Sequence, residues 1–513
     1  MKKTHNELGI GILLNYINLI VGNLIPIFYT PVMLSLLGQS EYGLYKLSSS
    51  ITSYLSLISL GIGTAITRYL IKARETEGAE AEARMLGLFV VIFNIIAAVA
   101  LVVGTGLAFS LPVWYGESLT ASELARMKIL VLLMVCNTAL SFSQSPYAAV
   151  VTAHEKFVFQ QCANITATCI GPLLNVVMLV LGYASVGMAV SSLFIGVLCR
   201  VAYACYIHKS MAIRPQYRNM PTHMLKDILK FSFWVFIANI VSQLYNATDT
   251  VMMGAVPELA TTGVAIYTVG NMFNTIVFSL TTGISNLMAP KVNKMVFSGA
   301  DDQEITNLAI RVGRFQGFLF SLVVSGFITF GQPFIRLYAG EGYEDAYWVA
   351  VLMMVPNMIP LVQSICLSAL MAKNKHKFRA LVYLGIAIAN VVGTWFLMRT
   401  WGIVGAALMT GAAVVLGQGF VMNWYYHKRT GLDMIRFWKE VGGVYVIPAL
   451  MCVAALLLGR VIDYNTLWIM LTGIVVYTLI FAGLNWCFVM NAYEKNLMIE
   501  PVVRIVAKWK KEM

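Results

Sequence analysis

The sequence predicts an all-α polytopic membrane protein, on three observations. Of the 513 residues, 59% are hydrophobic and only 12% charged, where ordinary globular domains carry roughly 25% charged residues; the mean hydropathy is +0.75. The apolar residues gather in runs of about 20 or more, the length that crosses a hydrocarbon core of about 30 Å as a helix. These runs lack the alternation over about ten residues that marks barrel strands, and in lipid only helices and closed barrels satisfy their own backbone.

Fourteen spans are expected, at 11–37, 42–71, 85–111, 127–151, 158–182, 184–207, 231–256, 263–289, 312–333, 346–371, 380–399, 403–426, 441–459 and 466–490. Lys2 and Lys3 precede a run of about 27 residues, longer than a signal core and with no small-x-small site after it, so the first span is expected to stay in the membrane. Pro26, Pro31, Pro146, Pro172, Pro356 and Pro360 fall mid-span, where each removes a backbone hydrogen bond and bends its helix.

The net charge of +12 is a topology signal rather than a nucleic-acid footprint. With a cytosolic N-terminus, thirty of the 36 Lys and Arg residues lie on the inner side, leaving Lys46, Arg126, Lys128, Arg336, Arg399 and Arg460 outside. That asymmetry predicts cytosolic termini, with the basic surplus against anionic headgroups. The tail reads as an interfacial basic helix or as solvated chain. All eight cysteines fall in apolar runs without a CxxC pair, so they are expected to be reduced packing residues, and no metal site or cofactor is suggested.

The chain carries an internal duplication. "TAHEKF" (Thr152 to Phe157) and "KNKHKF" (Lys373 to Phe378) stand 221 positions apart, each between two apolar runs. At nearly the same offset Tyr45 meets Tyr267, "LGI" at Leu60 meets "TGI" at Thr282, and "VGMA" at Val186 meets "VGAA" at Val404. The loops "ETEGAEAEAR" and "DDQEITNLAIR", after spans two and eight, also correspond. The expected organisation is an N-lobe at 1–207, a cytosolic linker at 208–230, a C-lobe at 231–427, two added spans within 428–490 and a basic tail at 491–513. Six spans per copy, an even number, makes the repeats parallel, an arrangement that opens alternately to each side between two lobes.

Placing residues at 100° per position shows where polar faces concentrate. Lys46, Ser50, Ser53, Thr64 and Arg68 share one face of span two, a hydroxyl ladder with a cation at each end. Span seven carries Ser232, Asn239, Gln243, Asn246 and Thr250 in one stripe, with Asp249 on its shoulder. Span one offers Gly11, Asn15, Asn18 and Gly22, and span eight Asn271, Thr275, Ser279, Thr282 and Asn286. Such stripes also serve helix packing in bilayers. Four of them on the first two spans of each repeat point to a shared aqueous cavity.

The segments "LLNYINLIVGNLIPIFYTPVMLSLLGQSEYGLYKLSSSITSYLSLISLGIGTAITRYL", "YNATDTVMMGAVPELATTGVAIYTVGNMF" and "ALMAKNKHKFRALVYLGIAIANVVGTWFLMRTWGIVGAAL" resemble the O-antigen and teichoic-acid flippase family of the multidrug, oligosaccharidyl-lipid and polysaccharide exporter superfamily. The resemblance covers nearly the whole chain and is carried by Gly, Tyr and topology rather than by a catalytic signature. It implies two six-helix lobes around a central cavity, a final helix pair, and flipping of undecaprenyl-diphosphate-linked oligosaccharide to the outer leaflet of the cytoplasmic membrane for surface polysaccharide such as lipopolysaccharide. The implied partners are the lipid-linked oligosaccharide, membrane lipids, H+ or Na+ as coupling ion, and glycan polymerase or assembly proteins.

Such a substrate asks a cavity for cations and many neutral hydrogen-bonding groups. Lys46 and Arg68, 22 residues apart, are separated by about 33 Å along a helix, so they suit a headgroup at the two mouths. No Lys or Arg stands mid-span on spans one, seven or eight, which leaves the substrate's charge open. Asp249 is the only acid well inside a span; it is expected to pair with Lys46 at a closed outer gate, to carry the coupling ion, or to be a hydrogen-bonded structural Asp. Arg336, Arg399 and Arg460 read as outer anchors, Arg200 as an inner one, Arg311 and Arg314 as vestibule or headgroup contacts, and His154 and His376 as solvated loop residues.

Two rivals are weighed. An ion-coupled drug or solute antiporter of the same superfamily usually has twelve spans and an acid in the first cavity helices, which spans one and two lack here. A membrane enzyme is disfavoured because no outer loop exceeds about 15 residues and no paired-acid or nucleotide-binding motif is present.

Overall fold

A computed structural model describes residues 2–373, 375–459, 462 and 464–496, except for the side chains of 2–9, 11–13, 280–287, 376 and 377. The expectations placed on Gly11, Thr282, Asn286, His376 and Arg460, and on the tail beyond 496, lie outside the described residues. The described chain is helical and holds no strand. Each of the fourteen expected runs falls within a helix or a broken helix, and eleven described helices are long and apolar enough to cross a bilayer.

Three features separate those two counts. Span seven is broken at Ala247 into Leu225–Asn246 and Thr248–Gly254. Span eight, Ala260–Phe297, includes the side chains left undescribed. His376–Val414 contains Gly402 at φ 60, ψ −142, where the chain reverses between two expected spans. A β-carbon at that left-handed φ would be strained, which is what glycine avoids.

Span two also departs from an ideal helix. It runs as α-helix over Gln39–Ser53, tightens to a 3-10 helix over Tyr54–Ser59, passes through Leu60 (φ 49) and Gly61 (φ 72), and resumes over Gly63–Glu77. The mid-span prolines lie inside helices, as at Pro26 and Pro31 of Lys2–Leu37 and Pro356 and Pro360 of Asp345–Val362. Span four starts cleanly: Thr120 accepts from the Glu123 backbone while Glu123 accepts from the Thr120 N–H, a reciprocal cap of about 1 kcal/mol.

Internal packing divides the chain into two units, Met1–Thr268 with Asn390–Ala406, and Val269–Ala389 with Ala407–Met513. In the first, Ile66, Leu70, Met85, Leu86, Phe89, Phe93 and Val150 form a closed core joining spans two to four. In the second, Phe330 of span nine packs with Met451 and Ala455 of span thirteen and with Met470, Tyr477 and Phe481 of span fourteen. Lipid is as apolar as these side chains, so shape and dispersion, not water exclusion, hold such contacts.

Candidate functional site: polar centres on broken helices

The polar residues expected to line a cavity become three hydrogen-bonded groups. The first joins spans one and five. Asn18 Nδ2 donates to Gln161 Oε1 at 3.3 Å, and Gln161 Nε2 donates to Asn15 Oδ1 at 3.2 Å. Gln161, in Phe157–Val180, thus links two amides one helical turn apart. Asn15 stays exposed and Asn18 half-buried, and Gly22 has open space where a side chain would stand.

The second group joins spans two and seven. Gln243 Nε2 donates to the Ser53 carbonyl and to Ser56 Oγ, both at 2.9 Å, and Ser53 Oγ donates to Gln243 Oε1 at 3.3 Å. The hydroxyls of Tyr54 and Thr248 meet at 2.5 Å. Of the span-seven stripe, Asn246 is exposed and bonded back to Ser242, Asn239 is half-buried, and Ser232 and Thr250 are buried. Asp249 is 2% exposed and accepts from the Tyr267 hydroxyl at 2.5 Å, so a phenol rather than Lys46 stands on its Oδ2.

The cations of span two keep other company. Lys46 Nζ lies over the Tyr42 ring, 5.4 Å from its centre, and the exposed Arg68 guanidinium lies 4.8 Å from the Phe231 ring centre. Neither is in an ion pair among the described residues. Ser50 is half-buried, and Thr64 is exposed and bonded to the Gly61 carbonyl at 3.1 Å. A cation held over a ring remains available to an anion, because a face contact uses none of its N–H groups.

The third group is a relay of amides in the second unit. Asn357 Nδ2 donates to Asn274 Oδ1 at 2.8 Å, and Asn274 Nδ2 donates to Asn271 Oδ1 at 3.1 Å. Asn357 and Asn274 are buried, whereas Asn271 is half-buried and Thr275, bonded to the Asn271 carbonyl at 3.0 Å, is exposed. The same unit contains an apolar cavity of about 420 Å³ lined by Val355, Pro356, Ile359, Trp438, Tyr445 and Cys452 among others.

Two expectations are corrected. His154 is not a solvated loop residue: its Nε2 stands 2.8 Å from Oε1 of Glu82, whose side chain is 3% exposed. Arg314 is neither a vestibule nor a headgroup contact. Its Nε and Nη2 hold the Glu494 carboxylate at 2.6 and 3.1 Å, and its remaining N–H groups donate to the Glu440 and Val489 carbonyls at 2.8 and 2.9 Å. The polar stripes do not single out Gln161, Asn274 or Asn357, nor the buried pair Asn390 and Thr394 of span eleven. Two glutamines in the first turn of span five and one asparagine in a proline-bent span were the available signals. Among the described residues no three His, Cys, Asp or Glu gather to hold a metal ion.

A chain of long apolar helices that carry amides, hydroxyls and cations within their spans, two of those spans broken, belongs to the class of membrane transporters. Residues 9–290, more than half of the chain, match the family described as polysaccharide biosynthesis protein, and the chain belongs to that family. It is 19% identical, over 76% of its own length and 91% of the other's, to a Shigella flexneri protein named "Putative O-antigen transporter". Its fold is similar to that of "Lipid II flippase MurJ, inward closed conformation", with a TM-score of 0.72 at 15% identity over 93% of this chain and 98% of that one. A MATE transporter of Vibrio cholerae, VcmN, shares the fold less closely, with a TM-score of 0.54 at 14% identity over 85% and 99% of the two chains.

Proposed function

We propose that the protein flips an undecaprenyl-diphosphate-linked oligosaccharide from the inner to the outer leaflet of a bacterial cytoplasmic membrane, by alternating access between its two repeats and with both termini in the cytosol. The observation that carries this reading is the pair of cations on span two, Lys46 and Arg68, each engaged by an aromatic ring and, among the described residues, by no carboxylate. A diphosphate supplies the missing anion, and charge-assisted bonds to phosphate are about twice as strong as neutral ones. The amides of Asn15, Asn18, Gln161, Asn239 and Gln243, with Asn271 and Thr275 from the second repeat, supply neutral partners for sugar hydroxyls. Family membership over residues 9–290 supports the same class of cargo.

Asp249 is given the coupling role in this reading. Its carboxylate is buried and held by Tyr267, so taking up a proton or sodium ion there changes the charge of a low-dielectric site and the balance between conformations.

The test is reconstitution into vesicles with a fluorescent undecaprenyl-diphosphate oligosaccharide whose outer-leaflet fraction is read by quenching. Lys46→Ala is expected to slow flipping about tenfold, the equivalent of about 1.4 kcal/mol, and Lys46→Arg to retain most of it. Asp249→Asn is expected to remove dependence on the ion gradient. Wild-type protein that leaves the probe unflipped, together with normal surface polysaccharide in a clean deletion strain, would overturn the assignment.

A further inference from the structure

Spans two and seven are both broken, and the breaks are bonded to each other. Span two loses its α-helical geometry at Tyr54 and regains it at Gly63, and span seven is interrupted at Ala247. Tyr54, the first residue of the one break, shares a hydrogen bond with Thr248, the first residue after the other. One turn before the span-seven break, Gln243 spends both amide hydrogens on span two, at the Ser53 carbonyl and the Ser56 hydroxyl. Backbone contact closes the rest: a β-carbon on Gly61 would stand 2.9 Å from the Ser232 carbonyl and from the Phe236 nitrogen, and one on Gly43 would stand 1.8 Å from the Thr261 carbonyl. Near the other end of span two, Ser40 and Thr261 hydroxyls meet at 3.0 Å, Tyr115 donates to the Val251 carbonyl at 3.2 Å and Ser118 to the Gly254 carbonyl at 2.7 Å.

Resting on the flippase reading, we propose that Gln243 locks these two breaks together and that the glycan's hydroxyls release the lock by taking its place. The groups that Gln243 occupies on span two are a carbonyl and a hydroxyl, an acceptor and a donor–acceptor, which is what a sugar hydroxyl complements. Leu60 is held at a left-handed φ of 49, a conformation unfavourable for a side chain with a β-carbon and one that persists only while its surroundings enforce it. Exchanging the Gln243 amide for a substrate hydroxyl frees Ser53 and Ser56, the residues that lead into this strained turn. Spans two and seven come from different repeats, so parting them at these breaks parts the repeats at the end where Ser40 and Thr261 meet. Gln243 is thus a positioning residue that makes opening conditional on cargo.

The experiment uses the full-length protein in vesicles with its native cysteines replaced and one cysteine at Thr261, which is buried at the contact with Ser40, as reporter, labelled by a membrane-impermeant maleimide. In the otherwise unchanged protein, adding the fluorescent undecaprenyl-diphosphate oligosaccharide is expected to raise the labelling rate. Gln243→Ala and the near-isosteric Gln243→Glu, which lacks the donor hydrogens, are expected to label about tenfold faster without the glycan and to gain nothing from it. Ser56→Ala weakens the lock from the other side and is expected to shift labelling in the same direction by a smaller factor, which keeps the test open where a span-seven change misfolds. Labelling at the unmodified rate in all three variants overturns the lock while leaving flipping intact. Absent flipping in the unmodified protein defeats the flippase reading instead, and the glycan-free labelling rates still decide whether the lock exists.

Discussion

The two repeated connectors are built alike and held differently. In the first repeat His154 meets Glu82; in the second Lys373 meets Asp302, and the two acids stand 220 positions apart, the offset of the duplication. The acids differ in exposure, 3% for the Glu82 side chain and 41% for Asp302. A buried carboxylate that loses its partner has no water to replace it, whereas an exposed one is rehydrated. The repeated architecture therefore places a heavier structural demand on the first connector than on the second.

The largest expected effect follows from stranding the buried acid. His154→Ala should lower the stability of purified protein by about 2–3 kcal/mol, the cost of leaving the buried acceptor without its partner, read as a drop in melting temperature or loss of folded yield. Replacing both members, Glu82→Leu with His154→Leu, should recover most of that loss, because a well-packed apolar pair commonly equals or exceeds a buried polar one. A double variant as unstable as His154→Ala would show that burial of the acid is not the cause.

Gly431→Ala should have an intermediate effect. Gly431 lies at φ 83, and a β-carbon there would stand 1.9 Å from Asp302 Oδ2, so the variant strains the backbone and disturbs the second pair by about 1–2 kcal/mol in thermal unfolding. Lys373→Ala should cost about 1 kcal/mol, through the half-buried ion pair and the bond its Nζ donates to the Thr430 carbonyl at 2.8 Å. Asp302→Asn should fall within about 0.5 kcal/mol of the parent. A reversal of this order between the connectors would break the link between acid burial and stability.

The same contrast explains what could be read from residues alone. Run length and hydropathy made the spans legible, because each follows from local composition. The cations, hydroxyls and amides of spans one, two, seven and eight were legible as helical stripes, since the spacing of side chains along one face is also local. Their partners were not. Gln161 reaches Asn15 across 146 positions, and Gln243 reaches Ser53 across 190, distances over which no periodicity in a single sequence carries information. Helical stripes presuppose continuous helices, on which Ser53 and Gln243 face a cavity, whereas next to the breaks in spans two and seven they bond to each other. The break in span two has no proline to announce it; "SLGIG" marked it, and the glycines registered only as part of the repeat. A basic connector predicts a solvated His154, because its partner lies 72 residues earlier, among the acids that follow span two.

The clasp between Arg314 and Glu494 has a consequence for biosynthesis. Arg314, 9% exposed in span nine, waits 180 residues for the carboxylate that neutralises it, and Glu494 is fixed in turn by the reciprocal bonds between its own backbone and carboxylate and Asn491. A polypeptide released before that point carries every cavity residue named above yet leaves a guanidinium buried without its anion. One ion pair therefore ties the start of span nine to the segment that follows span fourteen, so the burial of Arg314 is neutralised only once residue 494 is in place.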